Sequence, residues 1–434
     1  MDNNIDIARL ATESLSDHVE QRREVKPTRK LWDWLDGYQE MTEDFEPPKT
    51  FNKWCGLVAL AAATGRKVWL AEANTRIYPN LFVVLVAASG VGKTTAMREV
   101  KPFIDEVGVA MSAGKPSPAK FLTSVSEAAR PVEGLGMLTN YLIWAEELPS
   151  FLGTDAYKNG LIADLTTLYD CPDMWTKDTH VRNVEPIENV YMCMLGGTTA
   201  EGLFDVMPKG SVTQGFTARL LFIHALYNEK RVVEKPWGRK QESLLQPLKD
   251  DLKRIAQLRG AARFSDVARV MWADYYVNRP QADEEFADTR LQGYAARKPF
   301  YVKKLGLLLS VSEGDTLVVE AHHLERAFKL IEDVDKTLNR VYNDIAPSVA
   351  IQSYGKIIAK LQRNGGSLAK SKLMQSFAYM LDGTDFAKAM QALENMGLVD
   401  VEMRMPHGPV GGRLGGGRAT TVYRLTEGGR TWQK

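Results

Sequence analysis

The stretch "LFVVLVAASGVGKTTA", residues 81–96, constrains the fold more than any other part of the 434-residue chain. A run of β-forming residues gives way to small residues, then to a lysine and two threonines. This is the phosphate-loop pattern with Ala87 at its first glycine and Gly92, Lys93 and Thr94 at the required spacing. Because an apolar strand precedes the loop and a helical pattern follows it, we predict a nucleotide-binding site rather than a chance strand–turn–helix.

The residues of the loop have expected roles in holding a triphosphate. Gly90 and Gly92 let backbone N–H groups turn toward phosphate oxygens, and the following helix adds its positive N-terminal end. Lys93 supplies a positive charge to the β- and γ-phosphates, and the Thr94 hydroxyl suits Mg²⁺. We therefore predict ATP and Mg²⁺ as ligands. The predicted nucleotide contacts in the loop are Ala88, Ser89, Gly90, Val91, Gly92, Lys93, Thr94 and Thr95.

Strand and helix patterns alternate on both sides of the loop. "NYLIWAEELPSFL", "NVYMCMLGGTT" and "ARLLFIHAL" are apolar strands of the kind found in buried parallel sheets, with a helical pattern between them. This alternation predicts the α/β class. We divide the chain into an N-terminal helical and partly flexible segment (1–50), an α/β core (51–235), a helical segment without strand pattern (236–345) and a C-terminal module (346–434).

Two adjacent carboxylates follow the strand in "LIWAEELPS". A phosphate site needs a metal partner and a group that orients water. Since neighbouring residues on a strand point to opposite faces, we assign Glu146 to Mg²⁺ and its water shell, and Glu147 to polarising the attacking water. The alternative is an ordinary acidic loop after a strand.

Polar residues at two further strand ends are candidates for contacts with phosphate. Thr198 and Thr199 end the strand in "LGGTTAEGL", where a hydroxyl can hold water or the γ-phosphate or can cap the next helix. Arg219 begins another strand, where in ring ATPases an arginine reaches the neighbouring subunit's γ-phosphate. A surface arginine at a strand edge is the alternative.

Arg297 in "GYAARKPFYVKKLG" is a candidate phosphate sensor within the same subunit. Three nearby lysines compete for that assignment: Lys298, Lys303 and Lys304.

These stretches, in this order, resemble the AAA+ ring ATPases, and more closely the MCM-like or superfamily 3-like replicative helicases of phages, prophages and mobile elements. The resemblance covers about residues 32–225, carried by "FNKWCGLVALAAATGRKVWL", "YPNLFVVLVAASGVGKTT", "LIWAEELPSFL", "LYDCPDMW", "LGGTTAEGLF" and "GFTARLLFI". It implies an AAA+ P-loop ATPase core, a helical lid over 236–345 and a homo-hexameric ring around DNA. Related rings usually carry Asp at the position of Glu146, and often Asn near Thr198.

One candidate DNA contact lies in "DMWTKDTHVRNVEPIENV". In MCM-like and superfamily 3-like rings a β-hairpin before the sensor strand points into the pore. Lys177, His180 and Arg182 lie near the tip expected for such a hairpin. A solvated surface hairpin is the alternative.

The C-terminal module is the second candidate DNA contact. Residues 350–434 contain 12 Lys and Arg against 6 Asp and Glu, a surplus of +6 in a chain of net charge +1. Three helices, the second capped by Ser367, and a β-hairpin predict a winged helix. Its Gly-Arg loop contains Arg413 and Arg418. The helix expected to recognise DNA is mostly apolar, which favours contact with the DNA backbone, and contact with a protein is the alternative.

Composition excludes several classes of protein. The three cysteines lie far apart with no CxxC and no histidine cluster beside them, so a disulfide framework or a zinc site is not expected. The N-terminus is polar and acidic rather than a signal peptide, and no apolar run reaches the roughly 18 residues that span a bilayer. We predict a cytoplasmic protein without membrane contact.

The leading interpretation is a ring-shaped, ATP-driven DNA helicase or translocase acting with other replication proteins. A helicase loader or replication initiator that does not unwind processively is the first alternative. A phage packaging ATPase ranks lower, because the six acids of the C-terminal module are scattered rather than clustered. A DNA-binding regulator with a relict nucleotide site conflicts with the intact Lys93, Thr94 and paired glutamates.

Overall fold

The computed structural model divides the chain into two compact units, Met1–Ile345 and Ala346–Lys434. The sequence-based boundary between the helical segment and the C-terminal module lies at the same place. The structure describes residues 29–112, 114, 116–153, 156, 160–176, 186–206, 215–286, 291–345, 349–378, 381, 383–404 and 420–431.

The first unit alternates helices and strands. Its helices are α1 (Trp34–Thr42), α2 (Lys49–Thr64), α3 (Lys93–Glu106), α4 (Pro118–Glu127), α5 (Leu148–Leu152), α6 (Leu161–Tyr169), α7 (Ala200–Val206), α8 (Arg239–Ile255), α9 (Asp266–Asn278), α10 (Ala282–Glu285), α11 (Gln292–Glu313) and α12 (Ala321–Ile345). Its strands are β1 (Val68–Glu72), β2 (Thr75–Ile77), β3 (Phe82–Val86), β4 (Ala110–Met111), β5 (Ala129–Val132), β6 (Gly136–Ala145), β7 (Met174–Trp175), β8 (Ile187–Glu188), β9 (Val190–Thr198), β10 (Leu220–His224), β11 (Gly260–Phe264) and β12 (Val318–Val319). In the described parts of the chain, no helix combines the length and apolarity needed to cross a membrane.

The main sheet has the strand order β10-β3-β9-β6-β4, and every pair along it is parallel. β5 adds an antiparallel partner to β6. All residues of β3 and β9 are buried, which explains their continuous apolar sequences. The predicted α/β class with a parallel sheet is confirmed.

A second sheet has the order β12-β11-β1-β2. β11 pairs in parallel with both β1 and β12. The expectation of purely helical structure over 236–345 is therefore wrong for two short strands. β11 reads "GAARF", in which only Ala262 and Phe264 face inward, so its apolar alternation is too weak to recognise in the sequence.

Helix α11 joins the two sheets. Its Tyr301 hydroxyl donates to the Ala218 carbonyl at 2.6 Å, next to the start of β10. Lys304 donates to the Asn80 side chain at 2.7 Å, ahead of β3, and Lys303 pairs with Glu72 of β1. The helical segment is thus bonded into the core over the length of α11.

Residues 29–50 belong to the core of the first unit. Trp34 and Tyr38 of α1 are fully buried, stack at 5.4 Å and meet Phe103 of α3 edge-on. The Trp34 indole N–H donates to the Leu248 carbonyl at 2.7 Å. The remainder of the predicted N-terminal segment, residues 1–28, lies outside the described residues.

A buried clasp of three residues connects the end of α11 to the start of α12. Glu313 Oε2 lies 2.7 Å from His322 Nε2 and 2.8 Å from His323 Nε2. Burial raises the pKa of Glu313, but the two hydrogen bonds outweigh that effect and hold the pKa well below its usual value. Burial lowers the pKa of His323. The clasp therefore favours an ionised Glu313.

The second unit contains the helices α13 (Val349–Arg363), α14 (Lys370–Phe377), α15 (Gly383–Asn395) and α16 (Glu427–Thr431), with the strands β13 (Ser367–Ala369), β14 (Val399–Arg404) and β15 (Thr420–Leu425). The strands form an antiparallel sheet in the order β13-β15-β14. Its core includes Ile357, Leu373 and Phe386 from the three longer helices. The predicted Ser367 cap is wrong, because Ser367 lies in β13 and α14 starts after Ala369 without a side-chain cap.

We predict that Glu313→Gln lowers the free energy of unfolding by about 2–4 kcal/mol at pH 7, because the amide replaces a buried charge that accepts two hydrogen bonds. Since the folded pKa of Glu313 lies below its ordinary value near 4.5, this stabilisation is complete above that pH and is lost as the pH falls further. The measurement is urea unfolding between pH 7 and pH 3, in which the difference in unfolding free energy from wild type should narrow below about pH 4.5.

Glu332→Gln is the matched control for this clasp. Glu332 lies on the same helix α12, with its side chain 66% exposed, and among the described residues its ion-pair partner is Lys336 at 3.2 Å. It should change stability by less than about 0.5 kcal/mol. Equal losses of unfolding free energy for the two substitutions would contradict the stabilising role of the clasp.

Candidate functional site

The carboxyl ends of β3, β6 and β9 bring the predicted nucleotide residues to one edge of the main sheet. Val86 is in register with Thr198, and Ala145 with Gly196. The glycine loop 87–92 follows β3, and the two glutamates follow β6. We call residues 87–94, 146–147 and 198–199 the loop edge.

The backbone of the loop has the form that the glycines were predicted to permit. Gly90 and Gly92 have φ values of +86° and +79°, in the left-handed region that other residues rarely adopt. A Cβ atom at Gly92 would also lie 3.2 Å from Cα of Pro47. Ala88, Ser89 and Gly90 are exposed, so the loop faces solvent ahead of the N-terminus of α3.

The Lys93 side chain turns back over the loop. Its Nζ donates to the carbonyl oxygens of Ala87 at 2.7 Å and Ala88 at 2.9 Å. Burial lowers the pKa of Lys93, and the nearby negative charge of Glu147 opposes that shift. The ammonium group of Lys93 and the carboxylate of Glu147 are therefore near enough to interact electrostatically.

Glu146 is bound by an arginine that the sequence analysis did not single out. Arg98 of α3 donates through Nη2 to Glu146 Oε2 at 2.8 Å and through Nε to Oε1 at 3.3 Å. The hydrogen bond from Arg98 holds the pKa of Glu146 below its usual value. Arg98 lies four residues after Thr94, and this helical spacing is the signal that could have revealed it.

A close backbone contact brings the glutamates next to β9. A Cβ atom placed on Gly197 would lie 2.8 Å from the Glu146 carbonyl oxygen, whereas one on Gly196 meets nothing closer than 3.6 Å. Glycine inside an apolar strand is a sign of such close approach. Gly197 is thus a second residue of the site that the sequence analysis missed.

The two threonines at the end of β9 have different contacts. Thr199 Oγ1 accepts a hydrogen bond from the Gly202 N–H at 3.0 Å, which caps α7. Thr198 is fully buried, and its hydroxyl donates to the Thr199 carbonyl at 2.9 Å. The capping alternative therefore applies to Thr199, while a nucleotide contact by Thr198 stays a prediction.

Arg219 lies at the opposite edge of the sheet, directly before β10, whose Leu220 is in register with Phe82. Its guanidinium forms an ion pair with Asp170, with Nε 3.2 Å from Oδ1, and Nη1 donates to the Gly215 carbonyl at 2.7 Å. The Arg219 side chain is only 10% exposed. It is held within its own chain.

Arg297 of α11 lies beside Arg219. Its Nη1 is 3.7 Å from Asp170 Oδ1, its side chain is 27% exposed, and it lines a cavity of about 380 Å³. The Tyr169 ring lies under both guanidinium groups. We call Asp170, Arg219 and Arg297 the arginine edge.

The two edges are separated by the length of the strands. β3 has five residues, which at about 3.3 Å per residue separates the loop edge from the arginine edge by about 15 Å. The structure therefore does not bring Arg297 to the loop of its own chain, where the sequence analysis placed it as a sensor. The sequence-based placement of Arg297 failed because Arg297 lies in a helical segment after the core. The local sequence of that segment does not encode which end of the sheet it packs against.

The described residues include only part of the predicted DNA contacts. β7 and β8 pair antiparallel and form the base of the predicted hairpin, with Trp175 in register with Ile187. The predicted DNA contacts themselves lie outside the described residues: Lys177, His180, Arg182, Arg413 and Arg418.

The donors at the loop edge fit Mg²⁺, which prefers hydroxyl, carboxylate and water oxygens. Thr94 is half-buried, and Glu146 is kept ionised by Arg98. The Glu313–His322–His323 clasp also groups metal-binding side chains. There, His323 Nδ1 accepts the Glu320 N–H at 2.9 Å, so the proton of the neutral ring is on Nε2 and faces Glu313. That tautomer favours a hydrogen-bonded clasp over a metal site.

We predict that Gly197→Ala lowers the free energy of unfolding by about 1–3 kcal/mol, because its methyl group collides with the Glu146 carbonyl. Gly196→Ala, one residue earlier in the same strand, is the matched control and should be close to neutral, since its methyl group has ordinary contacts. Chemical denaturation of both variants is the measurement. A similar cost for the two variants would contradict the close approach.

No protein-family model and no curated protein sequence matches the chain. Its candidate site is the loop edge, where a lysine, a hydroxyl and two carboxylates lie at the same end of the main sheet as an exposed glycine loop.

Proposed function

We propose that the chain is an ATPase of the AAA+ type that works as a ring-shaped DNA helicase or translocase in the replication of a phage or mobile element. The observation that carries the proposal is that Lys93 and Thr94 lie at the same end of the main sheet as Glu146 and Glu147. Phosphoryl transfer needs a cationic cradle, a metal ligand and a carboxylate that orients water.

Each residue at the loop edge has a separate role in the proposed reaction. Backbone N–H groups of 88–95 and the N-terminus of α3 bind phosphate oxygens, and Lys93 moves from the loop carbonyls to the phosphates. Thr94 and Glu146 would hold Mg²⁺ and its bound water, and Glu147 would orient the attacking water. Bound Mg²⁺ offsets the negative charge of the phosphate oxygens.

The position of Arg219 favours action between subunits. Because it lies on the edge opposite its own loop, it can meet a nucleotide only on a neighbouring chain. To do so, its guanidinium must exchange Asp170 for phosphate. Arg297, more exposed and paired at 3.7 Å with the same carboxylate, faces the same neighbour.

The second unit supports a DNA partner. Its helices α13, α14 and α15 with the β14–β15 hairpin have the element order of a winged helix. Its surplus of +6 over residues 350–434 attracts phosphates. The remaining candidate is a helicase loader or initiator, which shares the ATPase site and the DNA-binding unit but does not unwind processively.

We predict that Lys93→Ala reduces ATP hydrolysis on the order of a hundredfold or more, because no other charge replaces the ammonium at the phosphates. Lys101→Ala is the matched control: Lys101 lies on the same helix and pairs with Asp105 at 2.8 Å, away from the loop edge. Phosphate release is the measurement, with thermal unfolding to show that both variants are folded.

The same two variants separate the motor from the loader in a strand-displacement assay. Unwinding of forked DNA by the purified protein alone, lost with Lys93→Ala, is the expected result for a helicase. Hydrolysis without any unwinding favours the loader, and absence of hydrolysis in the wild type refutes the ATPase.

We predict that Arg219→Ala and Lys93→Ala subunits, each inactive alone, recover part of the hydrolysis when mixed. Some interfaces in a mixed ring then contain Lys93 from one chain and Arg219 from its neighbour. Arg254→Ala is the control, since Arg254 pairs with Asp315 at 2.6 Å and contacts no residue of the arginine edge, and it should be active alone. Absence of recovery at every ratio, with mixed assembly shown by mass, contradicts action between subunits.

A further inference from the structure

Arg98 is hydrogen-bonded to the carboxylate of Glu146, which is a ligand of the proposed metal site. Both oxygens of Glu146 accept hydrogen bonds from its guanidinium, at 2.8 and 3.3 Å. Such two-point contact fixes the orientation of a carboxylate and engages a lone pair on each oxygen. A metal ion or its bound water would use the same carboxylate, whose orientation Arg98 fixes, and we therefore infer that Mg²⁺ and Arg98 compete for Glu146.

The position of Arg98 adds direct repulsion to this competition. Arg98 lies one helical turn after Thr94, on the same side of α3. Its positive charge therefore lies next to the place where Thr94 and Glu146 would hold a divalent cation. Among the described residues, no acid other than Glu146 pairs with Arg98, so its charge is offset by the very carboxylate that the metal would take.

The pair is exposed enough to exchange. The Arg98 side chain is 68% exposed and that of Glu146 is 34% exposed. An ion pair in contact with water is weak and can be replaced by another cation, unlike a buried pair. Arg98 can thus swing into solvent when Glu146 turns to the metal.

We propose that Arg98 is a positioning residue that sets the metal requirement of the site: it holds Glu146 in the metal-free protein and yields the carboxylate when Mg²⁺ arrives with nucleotide. The inference rests on the proposed function, because it takes Glu146 as a metal ligand. Its consequence is a site that binds metal more weakly than Thr94 and Glu146 alone would allow.

The test uses the full chain with Mn²⁺ and a non-hydrolysable ATP analogue. The electron paramagnetic resonance signal of free Mn²⁺ gives metal affinity without any turnover. We expect Arg98→Ala to bind Mn²⁺ about two- to fivefold more tightly than wild type, the range for an exposed ion pair. The gain should shrink at high salt, which screens exposed charges.

Two further variants isolate the contact. Lys101→Ala removes a positive charge from the same helix, from a lysine that pairs with Asp105, and should leave Mn²⁺ affinity unchanged. Glu146→Gln should weaken Mn²⁺ binding. In that background Arg98→Ala should lose the part of its gain that comes from freeing the carboxylate and keep only the part that comes from relief of direct repulsion.

Each outcome decides between explanations. Unchanged or weaker Mn²⁺ binding in Arg98→Ala, with normal binding in wild type, overturns the competition and leaves the proposed ATPase standing. An equal gain in Lys101→Ala overturns it as well, since the effect would then be general charge. Absence of Mn²⁺ and nucleotide binding in folded wild type overturns the proposed function, and this inference with it.

Discussion

The parallel register of β3, β9 and β6 is the constraint on which the site depends. Val86 opposite Thr198, and Ala145 opposite Gly196, set the glycine loop and the two glutamates at one height on the sheet. A slip of one residue in β6 would reverse the faces to which the side chains of this buried strand point. Because Gly197 has no side chain, the Glu146 carbonyl can pack closely against it. The strand register and this glycine together define the position of the two glutamates.

Three of the four charged residues proposed for catalysis have a counter-charge or a hydrogen-bond acceptor within the chain itself. Lys93 donates to two loop carbonyls, Glu146 binds Arg98, and Arg219 is paired with Asp170. Buried or half-buried ions require such partners, since desolvation without them is costly. If the proposed function is right, nucleotide, metal and a neighbouring chain must each replace one of these contacts. Binding would then be an exchange of partners rather than the filling of an empty space.

The parts of the fold that the sequence predicted are those encoded locally. The apolar runs of β3 and β9 and the glycines around Lys93 depend on few other residues, and both expectations agree with the structure. β11 could not be predicted, because its alternation is weak and its stability comes from pairing with β1, nearly 200 residues earlier. Arg297 was misplaced for a related reason. Which end of the sheet a distant helix docks against is a tertiary property that no local pattern contains.

The pairing of β11 with β1 has a mechanical consequence for residues 236–345. A segment attached only by a loop can open and close over a nucleotide, whereas this one shares a β-ladder with the core and is bonded to it again through Tyr301 and Lys304. Swinging it away would break strand pairing and expose the buried face of α11. If the loop edge binds nucleotide as proposed, a structural change there would be transmitted to Arg297 through this rigid connection and would displace the helical segment together with the core.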